Sequence, residues 1–190
     1  MKRIIVPVLF FVMLSFSGCK LQETINLKNC EYDYHSITNL SISGVDLSKG
    51  LTPLLIPVVL SALTGNASTV PLHFTLNVDV NNPNSGAASF QALHYIIYID
   101  SVWITEGDVT DPFYVGAGQS KILPVDIRTD IIELNKLHSR AVTENAILNF
   151  LGLSDTPSKV TLKLKPSFKV GKYTFTAPSD VTVRFTFGGK

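Results

Sequence analysis

The chain has 190 residues, 45% hydrophobic and 16% charged, and its 16 Lys+Arg against 15 Asp+Glu leave a net charge of +1. That length allows one domain with a real core, the apolar fraction excludes a disordered chain, and a balance this even without basic runs removes the electrostatic footprint of nucleic-acid binding. With 12 Gly, 10 Pro, 2 Cys and 1 Trp, collagen-like, disulfide-dense and coiled-coil compositions are excluded as well.

The N-terminus differs from the rest. Lys2 and Arg3 precede an apolar run from Ile4 to Phe16, interrupted by Pro7 and Ser15. This is the pattern of a signal peptide, residues 1–18, and it falls short of the roughly 20 residues that a membrane-spanning helix needs. Its ending, Phe16-Ser17-Gly18-Cys19, resembles a bacterial lipobox, with Phe16 where an aliphatic residue is usual. The resemblance implies that Cys19 is lipidated with diacylglycerol and palmitate-like chains and becomes the mature N-terminus. Lys20, in place of the Asp that retains lipoproteins in the inner membrane, implies a lipid-anchored protein of the bacterial envelope at the outer membrane, periplasmic or surface. Loss of residues 1–18 removes Lys2 and Arg3 and no acid, so the 16 basic groups become 14 against 15 acidic ones, and the mature charge is near −1. Cys30 has three readings: a disulfide with Cys19, open to any exported chain, a catalytic nucleophile, which needs a nearby base and an orienting group, or a small buried thiol left alone once Cys19 is acylated.

Leu21 to Asn29 is polar and without period, so residues 19–34 read as the lipidated N-terminus and a tether. Ile37, Leu40, Ile42, Val45 and Leu47 suggest one irregular strand closing at Gly50. Leu51 to Leu63 is almost wholly apolar, and Pro53 or Pro57 suits the first turn of a short helix ending before Gly65. That helix either packs on the core or offers Leu54, Leu55, Val58 and Val59 to an apolar ligand, as a lid over one end of the fold.

Leu72, Phe74, Leu76, Val78 and Val80 alternate with polar residues, the mark of a sheet with one buried face. Asn81 to Gly86 must turn. Ala92 to Asp100 is apolar on both faces and therefore central. Val102 to Thr105 follows at hairpin distance and ends at Glu106-Gly107, Val115 to Gln119 is a loop, and Ile122 to Ile127 is another strand. From Asp130 the period is helical, with Ile131, Leu134, Leu137, Val142, Ile147, Phe150 and Leu151 on the apolar stripe and Gly152 as the stop. One helix or two broken near His138 to Ala141 fit equally. Val160 to Lys165, Tyr173 to Thr176 and Val181 to Phe187 return to strands. About seven strands at this spacing argue for a mainly β fold, an antiparallel immunoglobulin- or fibronectin-III-like sandwich with one or two short helices.

Val78-Asp79-Val80-Asn81-Asn82-Pro83-Asn84 resembles the late embryogenesis abundant type 2 family, the water stress and hypersensitive response domain. The resemblance continues through Tyr95-Ile96-Ile97-Tyr98-Ile99-Asp100, Glu106-Gly107, Gly116-Ala117-Gly118-Gln119-Ser120 and Leu123-Pro124-Val125, and it covers residues 35–187. It implies a non-enzymatic sandwich associated with desiccation or other stress, with no cofactor and no catalytic residue to carry over. The lipobox and the apolar Leu51 to Leu63 insert depart from the plant domains.

No residues assemble a catalytic or metal pattern. His35, His73, His94 and His138 are isolated in sequence; His73 reads as solvated and His94 as a hydrogen-bonded residue of a central strand. Gly116-x-Gly118-x-x-Lys121 lacks the ending of a phosphate loop and leads into a strand. Asp100, Glu106, Asp108 and Asp111 fall at hairpin ends. Lys159, Lys163, Lys165, Lys169 and Lys172 read either as protection of an edge strand or as attraction to anionic head groups or glycan. Two functional readings result: a stress or interaction module tethered to the membrane at Cys19, and a carrier of an apolar ligand or lipid.

Overall fold

The computed structural model describes residues 22–50, 52–64, 67–153, 155–170 and 172–187. Period-two alternation builds its two main sheets. Strand β3 (Pro71–Asn81) buries Leu72, Phe74, Leu76, Val78 and Val80 while the residues between them stay part-exposed. It pairs antiparallel with β1 (Glu31–Ile42) on one side and β8 (Ser120–Asp130) on the other, and β2 (Val45–Asp46) extends the far edge of β1. The second sheet centres on β9 (Ser158–Val170), which is flanked by β5 (Ala92–Ile99) on one side and by β10 (Tyr173–Thr176) and β11 (Val181–Phe187) on the other. Strand β6 (Val102–Val109) closes that sheet beyond β5, so β5 is central as its two apolar faces require.

The sheets pack face to face. Phe74 of β3, Phe150 of a helix and Phe187 of β11 form a chain of rings with centroids 4.9 and 5.2 Å apart. Each apolar side chain buried in this way contributes about 1.5–3 kcal/mol. One open side of the sandwich is closed by Tyr34 stacked on Phe185 at 4.7 Å, and the other by hydrogen bonds from Tyr95 Oη to the Asp126 carbonyl (2.7 Å) and from Thr129 Oγ1 to the Ile104 carbonyl (3.0 Å). Tyr95 crosses directly over its register partner Gly107, where an added Cβ would sit 2.6 Å from the hydroxyl.

Three helices cover one end. Helix α1 (Ile56–Thr64) carries Pro57 in its first turn, where a missing N–H leaves no bond unmade. The later helical stretch is two helices, α2 (Ile131–Leu137) and α3 (Arg140–Phe150), broken at His138. Asp130 caps α2 by accepting from Ile132 N, and Ser139 caps α3 by accepting from Val142 N. The break rotates the apolar stripe: Thr143, Ala146, Ile147 and Phe150 are buried, whereas Leu137 and Val142, expected inside, are 64% and 46% exposed.

Residues 22–34 are no tether. A helical segment from Gln22 to Asn26 and a 3-10 turn (Leu27–Asn29) plug the end of the sandwich opposite the helices, and β1 already begins at Glu31. Leu27 is 2% exposed, Asn26 Nδ2 donates to the Ala87 carbonyl at 2.8 Å, and Tyr32 Oη donates to the Leu27 carbonyl at 2.6 Å. Thr24 and Asn26 are buried against the Ser89 and Ala87 carbonyls, which is why their polarity did not mean exposure. Beside it lies a small sheet of β4 (Ala88–Phe90) and β7 (Phe113–Val115), for which no strands were expected; Phe90 and Phe113 stack at 5.4 Å. Residues 1–21, with Cys19 among them, and Leu51 and Gly65 lie outside the described residues.

Candidate functional site

The Asn-Pro-Asn turn after β3 is densely hydrogen-bonded. Asn82 is fully buried, and its Nδ2 lies 3.0, 3.2 and 3.0 Å from the carbonyl oxygens of Gly86, Val115 and Gly116. Its Oδ1 accepts from Asn84 N at 3.1 Å and from Asn84 Nδ2 at 2.6 Å, and the Cys30 thiol points at it from 3.7 Å. The main chain joins in, with Asn82 N bonded to the Gln119 carbonyl and Gly118 N to the Asn82 carbonyl. Gly118, at φ 66°, supplies the left-handed backbone that the loop needs. The Gly116-x-Gly118 segment therefore spends its polar groups on Asn82. Cys30 is free, buried and pushed up to about 11 by desolvation, so it is an inert thiol rather than a nucleophile.

Three of the four histidines isolated in sequence meet an acid on a neighbouring strand, and among the described residues His138 does not. His35 Nδ1 is 3.0 Å from Asp79, His73 Nε2 is 2.6 Å from Asp126, and His94 Nδ1 is 3.0 Å from Asp108. His94 is thus a part-exposed surface residue and not a core one, and His73 is paired rather than simply solvated. Partial burial raises the Asp126 carboxyl, but hydrogen bonds and positive charge from His73 and Arg128 outweigh it and hold Asp126 below the usual carboxylate range. Around these pairs the outer face of the β1-β3-β8 sheet is a mesh of short polar contacts, such as Asn77 to Ser36 and Thr38 and Asn81 to Glu31. Period two in β1, β3 and β8 was the signal that could have found it, because register alone aligns these side chains.

Asp100, with φ 49°, and Ser101, with φ 68°, form a two-residue turn between β5 and β6. The Asp100 carboxylate accepts from Lys159 N at 2.8 Å, Asn149 Nδ2 at 3.2 Å and Ser158 Oγ at 3.3 Å, so it fastens the hairpin to β9 and α3. Among the described residues no group of three or more His, Cys, Asp or Glu could hold a metal ion.

The residues expected to meet an apolar ligand separate into two sets. Val59 is 1% exposed and Leu55 packs on the core, whereas Leu54 and Val58 face outward at 86% and 47% exposure. Helix α1 is anchored through one face and presents no common apolar surface with these four. Between the sheets the apolar space near Leu27, Phe90 and Leu93 has about 10 Å³ of free volume, room for one water at most. A cleft of about 180 Å³ lies at the helical end against Leu40, Leu47, Phe150 and Phe187.

The lysines of β9 do not protect an edge. Strand β9 is internal to its sheet, bonded to β5 along one side and to β10 and β11 along the other. Lys159, Lys163 and Lys165 project from its outer face, and Lys163 Nζ stands 5.2 Å from the centroid of the Tyr98 ring. Alternation of lysine with apolar residues has the same pattern on an edge strand as inside a sheet, which is why the lysines misled.

No curated protein sequence matches the chain. Among solved structures it is similar to a crystal structure of a protein from Archaeoglobus fulgidus, at 15% identity and TM-score 0.40, over 83% of this chain and 98% of that one. It is similar to the solution structure of AT1g01470 from Arabidopsis thaliana, at 13% identity and TM-score 0.42, over 84% of this chain and 83% of that one. It is also similar to the solution structure of At2g46140.1, assigned as a late embryogenesis abundant (LEA) protein, at 14% identity and TM-score 0.39, over 99% of this chain and 86% of that one. The late embryogenesis abundant protein profile LEA_2 matches residues 77–183, from the middle of β3 through the Asn82 turn into β11. The chain is a member of the late embryogenesis abundant type 2 family.

Proposed function

We propose that this protein is a non-enzymatic LEA type 2 sandwich held on the bacterial envelope by acylation of Cys19, where it acts in stress tolerance or as an interaction module. The observation that carries the reading is the family match over residues 77–183, on a chain whose leader ends in the lipobox-like Phe16-Ser17-Gly18-Cys19. The side chains most open to chemistry are engaged in bonds that hold strands together: Asp100 ties a hairpin, Asp126 and Asp79 bind histidines, and Cys30 is desolvated. The carrier reading, with helix α1 as the lid, draws on the cleft of about 180 Å³ at the helical end, which is below the ~300–1,000 Å³ typical of ligand pockets, so the first reading is preferred.

The test is survival. A strain lacking the gene is dried or shifted to high osmolarity and complemented with the wild-type gene or with Cys19→Ala. Recovery by the wild type and not by Cys19→Ala supports an anchored stress protein. Equal survival with and without the gene refutes the stress role.

A further inference from the structure

The outer face of the β9-β11 half carries cations that no fold requirement accounts for. Cross-strand register aligns Arg184, Thr161, Tyr98 and Trp103 in one row, and Thr182, Lys163, Ile96 and Glu106 in the next. Lys165 continues the column beside His94, and Lys159 begins it beside Thr186. None of Lys159, Lys163, Lys165 and Arg184 has an ion-pair partner among the described residues. The nearest acid, Asp100, accepts from Lys159 N, Asn149 and Ser158, and the next acids in register, Glu106 and Asp108, lie on β6, two strands from β9, with Asp108 paired with His94. A groove of about 550 Å³ opens on this side against Ser101, Lys159, Thr161, Arg184 and Thr186.

We infer that this face binds an acidic polysaccharide. The charge column and the hydroxyls decide the chemistry. Alternate residues along β9 place a lysine about every 7 Å at its closest spacing, a repeated positive charge suited to a linear polyanion. Arg184 offers a planar fork for a carboxylate, and the threonines of β9 and β11 offer hydroxyls to neutral sugar oxygens. Tyr98 and Trp103 supply part-exposed aromatic surface at the end of the Arg184 row. A bilayer fits less well: Leu54, Val58, Leu137, Val142 and the other exposed large apolar side chains lie off the outward positions of β5, β9 and β11, so this face offers the part-exposed Ile96, Tyr98 and Trp103 but no fully exposed aliphatic side chain to insert among acyl chains. The inference goes beyond the envelope reading and does not depend on Cys19.

All the elements described lie within residues 22–187, so a chain starting at Lys20 retains them and serves for the test. Binding to polygalacturonate is measured against neutral dextran, and flotation against vesicles containing about one-third phosphatidylglycerol. The expected result is salt-sensitive binding to polygalacturonate alone, weakened about tenfold or more in Lys159→Gln/Arg184→Gln and several-fold in Tyr98→Leu, with unchanged circular dichroism. Absence of binding, equal binding by the double variant, or vesicle flotation lost in that variant would each overturn it, the last by assigning the face to lipid.

Discussion

Replacing Asn82 by Ala tests whether the Asn-Pro-Asn turn holds the fold together. The amide donates to the carbonyls of Gly86, Val115 and Gly116 at 3.0, 3.2 and 3.0 Å and accepts from Asn84 N and Nδ2 at 3.1 and 2.6 Å. The two N–H groups, shared among the three carbonyls, and the two accepted bonds at about 1 kcal/mol each, with buried carbonyls left unsatisfied and partly rescued by entering water, give a loss of about 3–5 kcal/mol. A domain of this kind has about 5–15 kcal/mol in all, so the variant is left marginal. Asn84→Ala keeps the backbone bond to Asn82 but loses the Nδ2 bonds to Asn82 Oδ1 and to the Asn26 carbonyl, and costs about 2 kcal/mol. Urea unfolding followed by tryptophan fluorescence measures both, with the slope unchanged. A loss below about 1 kcal/mol for Asn82→Ala, or equal losses for the two variants, refutes the reasoning.

Other outcomes follow from the same geometry. Gly107→Ala sets a Cβ 2.6 Å from Tyr95 Oη and lowers stability by about 1–3 kcal/mol in thermal unfolding, more than Tyr95→Phe, which only removes the bond to the Asp126 carbonyl. Val59→Ala costs about 1.5–2.5 kcal/mol and Leu54→Ala less than about 0.5, because the first is 1% and the second 86% exposed. The Asp126 carboxyl is depressed when folded, so its stabilising contribution is complete above the ordinary value of 3.8 and is lost as pH falls through the lower folded value. Asp126→Asn therefore flattens the fall of the melting temperature below that pH, and an unchanged slope would contradict the His73 and Arg128 pairing. In a chain starting at Lys20, Cys30 reacts with a disulfide reagent only as the protein unfolds, since a thiol pushed up to about 11 is almost wholly protonated at neutral pH.

The strands with strict alternation were legible residue by residue. In β3 the pattern named the buried face, in β5 apolarity on both faces placed the strand inside its sheet, and the change to period 3.6 at Asp130 located α2 and α3. What escaped was set by partners distant in sequence. Ala88–Phe90 and Phe113–Val115 are too short to show a period and become strands only by pairing with each other. Thr24 and Asn26 look like tether residues, yet they reach the Ser89 and Ala87 carbonyls more than sixty positions away. The lysines of β9 have the same local pattern on an edge as in the middle of a sheet, and only strand order separates the two. The His–Asp pairs were hidden for a related reason: each joins neighbouring strands, and register was not in view. Helix α1 was placed correctly, but its uniform apolarity gave no indication that Val59 faces in and Leu54 out.

The anchored family sandwich is tested most directly by the intact mass of the protein isolated from its native envelope. The account predicts a chain that begins at Cys19 and carries a diacylglycerol and an added acyl chain on that residue. A mature chain with an unmodified Cys19, or one that keeps residues 1–18, would contradict it.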